Sequence, residues 1–142
     1  MALYYTRHDS MTQATTTFAP VETDSEGATA GPIAIPPGAR KIARIIASVV
    51  VNGAHVTDTG NIIVLRLSGT GALPDGIQDL VLFAHHLNDG AGTLTYTAGK
   101  LVRPVVLDVN ITVNPGADLS LAAAYYGADS GSPQLSVTLE FE

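Results

Sequence analysis

The chain has 142 residues, 46% of them hydrophobic and only 14% charged, with a formal net charge of −6 and no cysteine. That length fits one domain with a real core. The acidic balance argues against a nucleic-acid partner, no disulfide or thiolate metal site can form, and no run approaches the roughly 18–20 apolar residues of a membrane-spanning helix, so no membrane partner is expected.

The opening residues, MALYYTRHDSMTQ, lack a basic stretch followed by a long apolar run, and no secretory signal is expected. Ala2–Thr6 reads as a short apolar strand. From Arg7 to Gly31 the composition shifts to Thr, Ala, Ser, Glu and Asp around one aromatic anchor, Phe18. Too little apolar surface lies here to offset roughly 1–2 kcal/mol of backbone entropy per residue. Residues 1–31 are therefore expected to be an N-terminal arm, mobile in an isolated subunit and ordered on a neighbour. Residues 32–142 are expected to form the folded domain.

Pro32–Ile35 is a short strand, and Pro36-Pro37-Gly38 is a turn. Lys41–Val51 (KIARIIASVVV) is the most β-branched run of the chain and reads as a strand, because branching at Cβ suits a pleated sheet. Period two puts Ala43, Ile45, Ala47, Val49 and Val51 on one face. Asn52-Gly53 is suited to a tight reversal. Further strands follow over Asn61–Ser68, Gln78–His86, Thr93–Thr97, Val102–Val113, Asp118–Tyr126 and Gln134–Phe141. Pro74–Gln78 could form one helical turn.

The last three strands alternate cleanly. Val105, Leu107, Val109, Ile111 and Val113 share a face; so do Leu119, Leu121, Ala123 and Tyr125; so do Leu135, Val137, Leu139 and Phe141. One apolar and one polar face is the antiparallel pattern. The connectors are rich in Gly, Asn, Asp and Pro, and Asn114-Pro115-Gly116 reads as a hairpin turn. The expected fold is all-β: an antiparallel β-sandwich of about eight strands, of jelly-roll type. Its expected core is Ile45, Val49, Leu65, Val81, Phe83, Leu107, Val109, Ile111, Leu121, Val137 and Leu139.

Chemistry is hard to find. His85 and His86 are adjacent, so on a strand they point to opposite faces and cannot chelate one metal together. His8 and His55 fall in connectors. The loop residues Asp58, Asn61, Asp75, Asn88, Asp89, Asp118 and Asp129 lack the spacing of a calcium loop. No G-x-S-x-G or phosphate-binding loop is present. Asp79, Asp108 and Glu140 lie within strands and fit solvent faces. No catalytic residue, cofactor or metal is assigned. Tyr4, Tyr5, Phe18 and Tyr126 are the candidate interface residues, since aromatics are enriched in protein contacts.

A Thr/Ala-rich arm, then Ile35–Ile42 (IPPGARKI), then a β-branched strand and about seven more strands with Gly/Asn/Pro loops: this order resembles small single jelly-roll virion proteins, the capsid subunits and capsid-decoration (cement) proteins. The resemblance implies a structural protein of a viral shell or its outer surface, partnered by copies of itself and by other shell proteins. It brings no catalytic residues. Many genome-packaging capsid proteins carry a basic arm, and this arm is not basic, which favours the shell over the packaged genome. Two other readings stand beside it. A carbohydrate-binding or adhesive β-sandwich module fits the fold and an outward tyrosine. A cupin-like metal enzyme fits the fold but lacks the closely spaced His and Glu that such sites use.

Overall fold

The computed structural model describes the backbone at residues 2–10, 17–56, 60–86, 93–126 and 134–142, and side chains within these except at 10, 50–56, 60–61, 83–86, 93–103 and 126. Among the described residues there are nine strands and no helix: β1 (Leu3–Ser10), β2 (Ala19–Pro20), β3 (Ile33–Ala34), β4 (Lys41–Val56), β5 (Gly60–Ser68), β6 (Ile77–His86), β7 (Thr93–Thr112), β8 (Asp118–Tyr126) and β9 (Gln134–Phe141). One sheet runs β1-β9-β4-β7 and the other β2-β8-β5-β6, with β3 also on β8.

The antiparallel pairs nest like brackets: β1 with β9, β2 and β3 with β8, β4 with β7, β5 with β6. Two further ladders, β4 with β9 and β5 with β8, join the nested pairs side by side. A long hairpin of strand pairs wrapped on itself in this way is the jelly roll. Both sheets feed one core. Ile45, Val49, Val137 and Leu139 come from the first, and Leu65, Leu67, Leu121 and Tyr125 from the second.

Several expectations are corrected here. Asn52-Gly53 does not reverse the chain. β4 runs through it to Val56, and β7 is continuous where two strands were expected. The register shows why: Val51 pairs with Leu101 and Gly53 with Tyr96, so Thr97–Lys100 lie opposite the single Asn52. Turn-forming residues of two strands face each other as an irregularity inside a long ladder. Asn114–Ala117 is a turn, with Gly116 at φ 79° in the position that a type II turn requires. It joins β7 to β8 in the other sheet, so it is no hairpin. Pro74–Gln78 forms turns and strand, without helix.

Bulges reset two faces. Ala43 is an extra residue of β4 between the pairs Ile42–Phe141 and Arg44–Glu140 of β9. Both Ile42 and Ile45 therefore point inward and are fully buried, whereas Ala43 is half-buried. On β6, Ile63 pairs with Phe83 and Val64 with Val81, leaving Leu82 as the inserted residue. Leu82 is buried and Val81 is 55% exposed, so the expected burial of Val81 is wrong by one bulge. Phe83's side chain lies outside the described residues. Leu107, Val109 and Ile111 face the core but are only partly buried, because β7 is an edge strand.

The N-terminal segment also differs from expectation. β1 pairs with β9 along its whole length, from Leu3–Phe141 to Ser10–Gln134, and Val21 is fully buried in the chain's own core. Side-chain area alone underestimates this segment, since eight residues of backbone ladder to β9 add to it.

A candidate assembly surface

The two lateral sides of the sandwich are built differently. On one side, the N-terminal segment finishes both sheets. β1 is the outer strand of the first sheet and β2 of the second. Thr23 then bridges the free edge of β1 at His8, with N–O distances of 2.7 and 3.3 Å. Arg7 Nε donates to the Gly31 carbonyl at 3.2 Å, tying the following loop to the same edge.

The other side is formed by β6 and β7, each laddered on one neighbour only among the described residues. Pro104 lies within β7, and an edge strand is where a sheet tolerates a residue without an N–H. Between the two strands runs a groove of about 360 Å³, lined by Leu73, Pro74, Ile77, Leu80, Val109 and Ile111 together with Asp75, Gln78, Asn110 and Thr112, with no Lys or Arg in the lining among the described residues. Large apolar side chains of these two strands reach solvent: Ile77 is 54% exposed, Val81 55% and Val106 59%. Exposed apolar side chains on open edge strands are a common feature of contact surfaces.

The four aromatic residues expected at an interface fare differently. Tyr4 stands on the outer face of the first sheet, 56% exposed, with its hydroxyl donating to Glu140 Oε1 at 3.3 Å. Tyr5 points the other way and meets Phe141 edge-to-face, centroids 5.7 Å apart. Phe18 lies under the guanidinium of its own chain's Arg66, 3.8 Å from the ring centroid. Arg66 in turn makes a two-point contact with Asp79, at 2.8 and 2.9 Å, which lowers the Asp79 pKa. The Tyr126 side chain lies outside the described residues; its backbone pairs with Ile62. Tyr4 alone of the four is both described and freely presented to solvent.

The outer face of the first sheet carries a charged row, Asp108–Arg44–Glu140–Tyr4, one residue from each strand. A second concavity of about 400 Å³ is lined by His8, Asp9, Thr23, Ser48, Gln134, Leu135 and Ser136. His55, His85, His86, Asp58, Asn61, Asn88, Asp89 and Asp129 have no described side chain. Among the described residues, no three His, Cys, Asp or Glu side chains stand close enough to hold a metal ion.

No family model and no curated protein matches this sequence. Several solved structures align along most of this chain. A capsid chain of the cyanophage Pam1 is 16% identical, with 99% of this chain and 85% of that one covered, at a TM-score of 0.42. A capsid chain of the Helicobacter pylori bacteriophage KHP30 is 11% identical, with 100% and 88% covered, at 0.45. The globular domain of a zebrafish complement 1qA protein is 14% identical, with 99% and 94% covered, at 0.43. At these identities the likeness is one of architecture. It takes in phage shells and a complement domain alike, so it does not choose between functions. Sequence reasoning missed the groove, because which strands end up on an edge is a matter of topology. Pro104 within a strand is the one local signal that pointed to it.

Proposed function

We propose that this protein is a virion structural subunit, a capsid or capsid-decoration protein that works by assembling with copies of itself and other shell proteins, without catalysis. The observation that carries this reading is the asymmetry of the sandwich. One side is closed by the chain's own N-terminal segment, and the opposite side presents two strand edges left unpaired among the described residues, with a groove of mixed polar and apolar lining between them. A chain with only 14% charged residues leaves such a side costly in water unless a partner covers it. A genome-binding role is disfavoured by the net charge of −6 and by the engagement of Lys41, Arg44 and Arg66 with Glu142, Glu140 and Asp79.

The test is sedimentation of the purified chain over a range of concentrations, with electron microscopy of the heavy fraction. Multi-subunit particles are the expected outcome. A monomer at every concentration would overturn the proposal. The hollow beside His8, with Asp9, Gln134 and Ser136 in its lining, supports a glycan-binding module as the second reading; glycan-array binding lost in Ser136→Tyr, together with a monomeric chain, would put it first.

A further inference from the structure

The open groove has a complement on the same chain. Leu3, Phe141, Ile42 and Ile111 form one row across the first sheet, one residue from each strand. Phe141 and Ile42 are buried in the middle. The row emerges at both ends: Leu3, 40% exposed, on the closed side, and Ile111 in the groove on the open side. Leu3 on the inward face and Tyr4 on the outer face thus leave exposed apolar surface on both sides of the β1 edge, level with the groove on the other flank.

Arg40 sits at the end of the first sheet between the two flanks, its N–H donating to the Glu142 carbonyl and its own carbonyl accepting from the Val113 N–H, and its exposed side chain has no partner among the described residues. Asp75 at the groove is likewise exposed, with no side-chain partner among the described residues.

We infer that the groove between β6 and β7 takes a second copy of this chain, head to tail. The Leu3–Tyr4 edge of one subunit seats against Ile77, Leu80 and Ile111 of the next, and Arg40 faces Asp75. Because edge and groove lie at one height on opposite flanks, copies rotated about an axis along the strands meet without tilting, and each subunit keeps one groove and one such edge in use. A two-fold contact of groove on groove would leave the exposed Leu3–Tyr4 edge uncovered. Strand addition along β7 is opposed by Pro104, which has no N–H to give a new ladder. The contact is therefore one of side chains. This inference rests on the assembly reading above.

The chain's lack of cysteine makes a clean test. Tyr4→Cys and Gln78→Cys place single thiols on the β1 edge and in the groove, both exposed. Under mild oxidation of the assembled protein, an equal mixture is expected to give a Tyr4–Gln78 heterodimer, and the double variant a ladder of covalent multimers. Assembled protein that yields only Gln78–Gln78 homodimers, or no disulfide, would overturn the head-to-tail contact while leaving assembly itself standing. A wild-type chain that stays monomeric would overturn both. In a parallel arm, Asp75→Arg and Arg40→Asp are each expected to weaken assembly roughly tenfold, and the double exchange to restore it. A double exchange that assembles worse than either single variant would also reject the pairing.

Discussion

Arg44 Nε lies 2.6 Å from Glu140 Oε2, and the pair crosses from β4 to β9 on the outer face of the first sheet. Glu140 faces solvent by its strand phase, yet it is only 4% exposed. The guanidinium on one side and the Tyr4 hydroxyl on the other cover it. The hydrogen bond from Arg44 holds the Glu140 pKa below the ordinary 4.5, and the same bond raises that of Arg44.

That pair makes stability depend on acid. Glu140 is depressed in the folded state, so its contribution is fully present above the unfolded value of 4.5 and is lost as pH falls through the lower folded value. Asp79, held down by the hydrogen bond from Arg66, acts in the same direction below its ordinary 3.8. Denaturant midpoints measured from neutral pH downward are expected to fall in this acid range. Glu140→Gln is expected to lower stability at pH 7 and to flatten the curve below pH 4.5. A curve as steep as wild type would show that Glu140 does not carry the dependence.

The bulge on β6 can be read by mutation. Leu82 is buried and Val81 largely exposed. Leu82→Ala is expected to cost roughly 2–5 kcal/mol, and Val81→Ala to stay within about 0.5 kcal/mol as a monomer. Urea unfolding below the assembly concentration measures both. Equal costs at the two positions would place the inserted residue elsewhere.

Gly69 closes the end of the sandwich where the loop before β6 meets the start of β8. A Cβ there would stand 2.5 Å from the Asp118 carbonyl oxygen and 2.7 Å from the Ala72 Cβ. Neither neighbour yields easily, since one is backbone and the other sits in a loop held by Asn114, whose Nδ2 donates to the Gly71 carbonyl at 2.6 Å. Gly69→Ala is expected to destabilise by about 1–3 kcal/mol. Asn110 makes the contrasting case. It holds φ 49° where β7 bulges against Ala43, so Asn110→Gly is expected to be tolerated and Asn110→Val to destabilise. Thermal unfolding of the three variants ranks them.

The N-terminal segment gives a test of its own. Deletion of Met1–Ala30 removes the cover of β9 and the buried Val21. The truncated chain is expected to lose most of its stability or aggregate through the bared β9 edge. Circular dichroism and light scattering follow this. A well-folded, soluble truncation would show that the segment is an appendage.

Phe18 and Arg66 hold the same segment to the second sheet. A double-mutant cycle with Phe18→Ala and Arg66→Gln is expected to give a coupling of about 0.5–1 kcal/mol, as for an exposed cation–π contact. Additive effects would mean that the ring rests there without holding the segment.

Local chemistry by itself determined which stretches are strands and which side of each faces in, wherever the alternation is unbroken. Leu119, Leu121, Ala123 and Tyr125 on β8, and Leu135, Val137, Leu139 and Phe141 on β9, are all buried as their spacing predicts. Side-chain period follows from the pleat, and the pleat is a property of the strand alone. What depends on a partner strand was not legible. Ala43 and Leu82 become inserted residues only against a particular neighbour in a particular register, and each insertion turns the following face by one residue. Asn52-Gly53 reads as a reversal until Thr97–Lys100 lie opposite it. The groove exists because β6 and β7 end up on the edges of different sheets. The N-terminal segment folds back because its hydrogen-bonding partner, β9, lies at the far end of the sequence, where Leu3 meets Phe141. Only the closed sandwich brings those backbone groups within reach of each other.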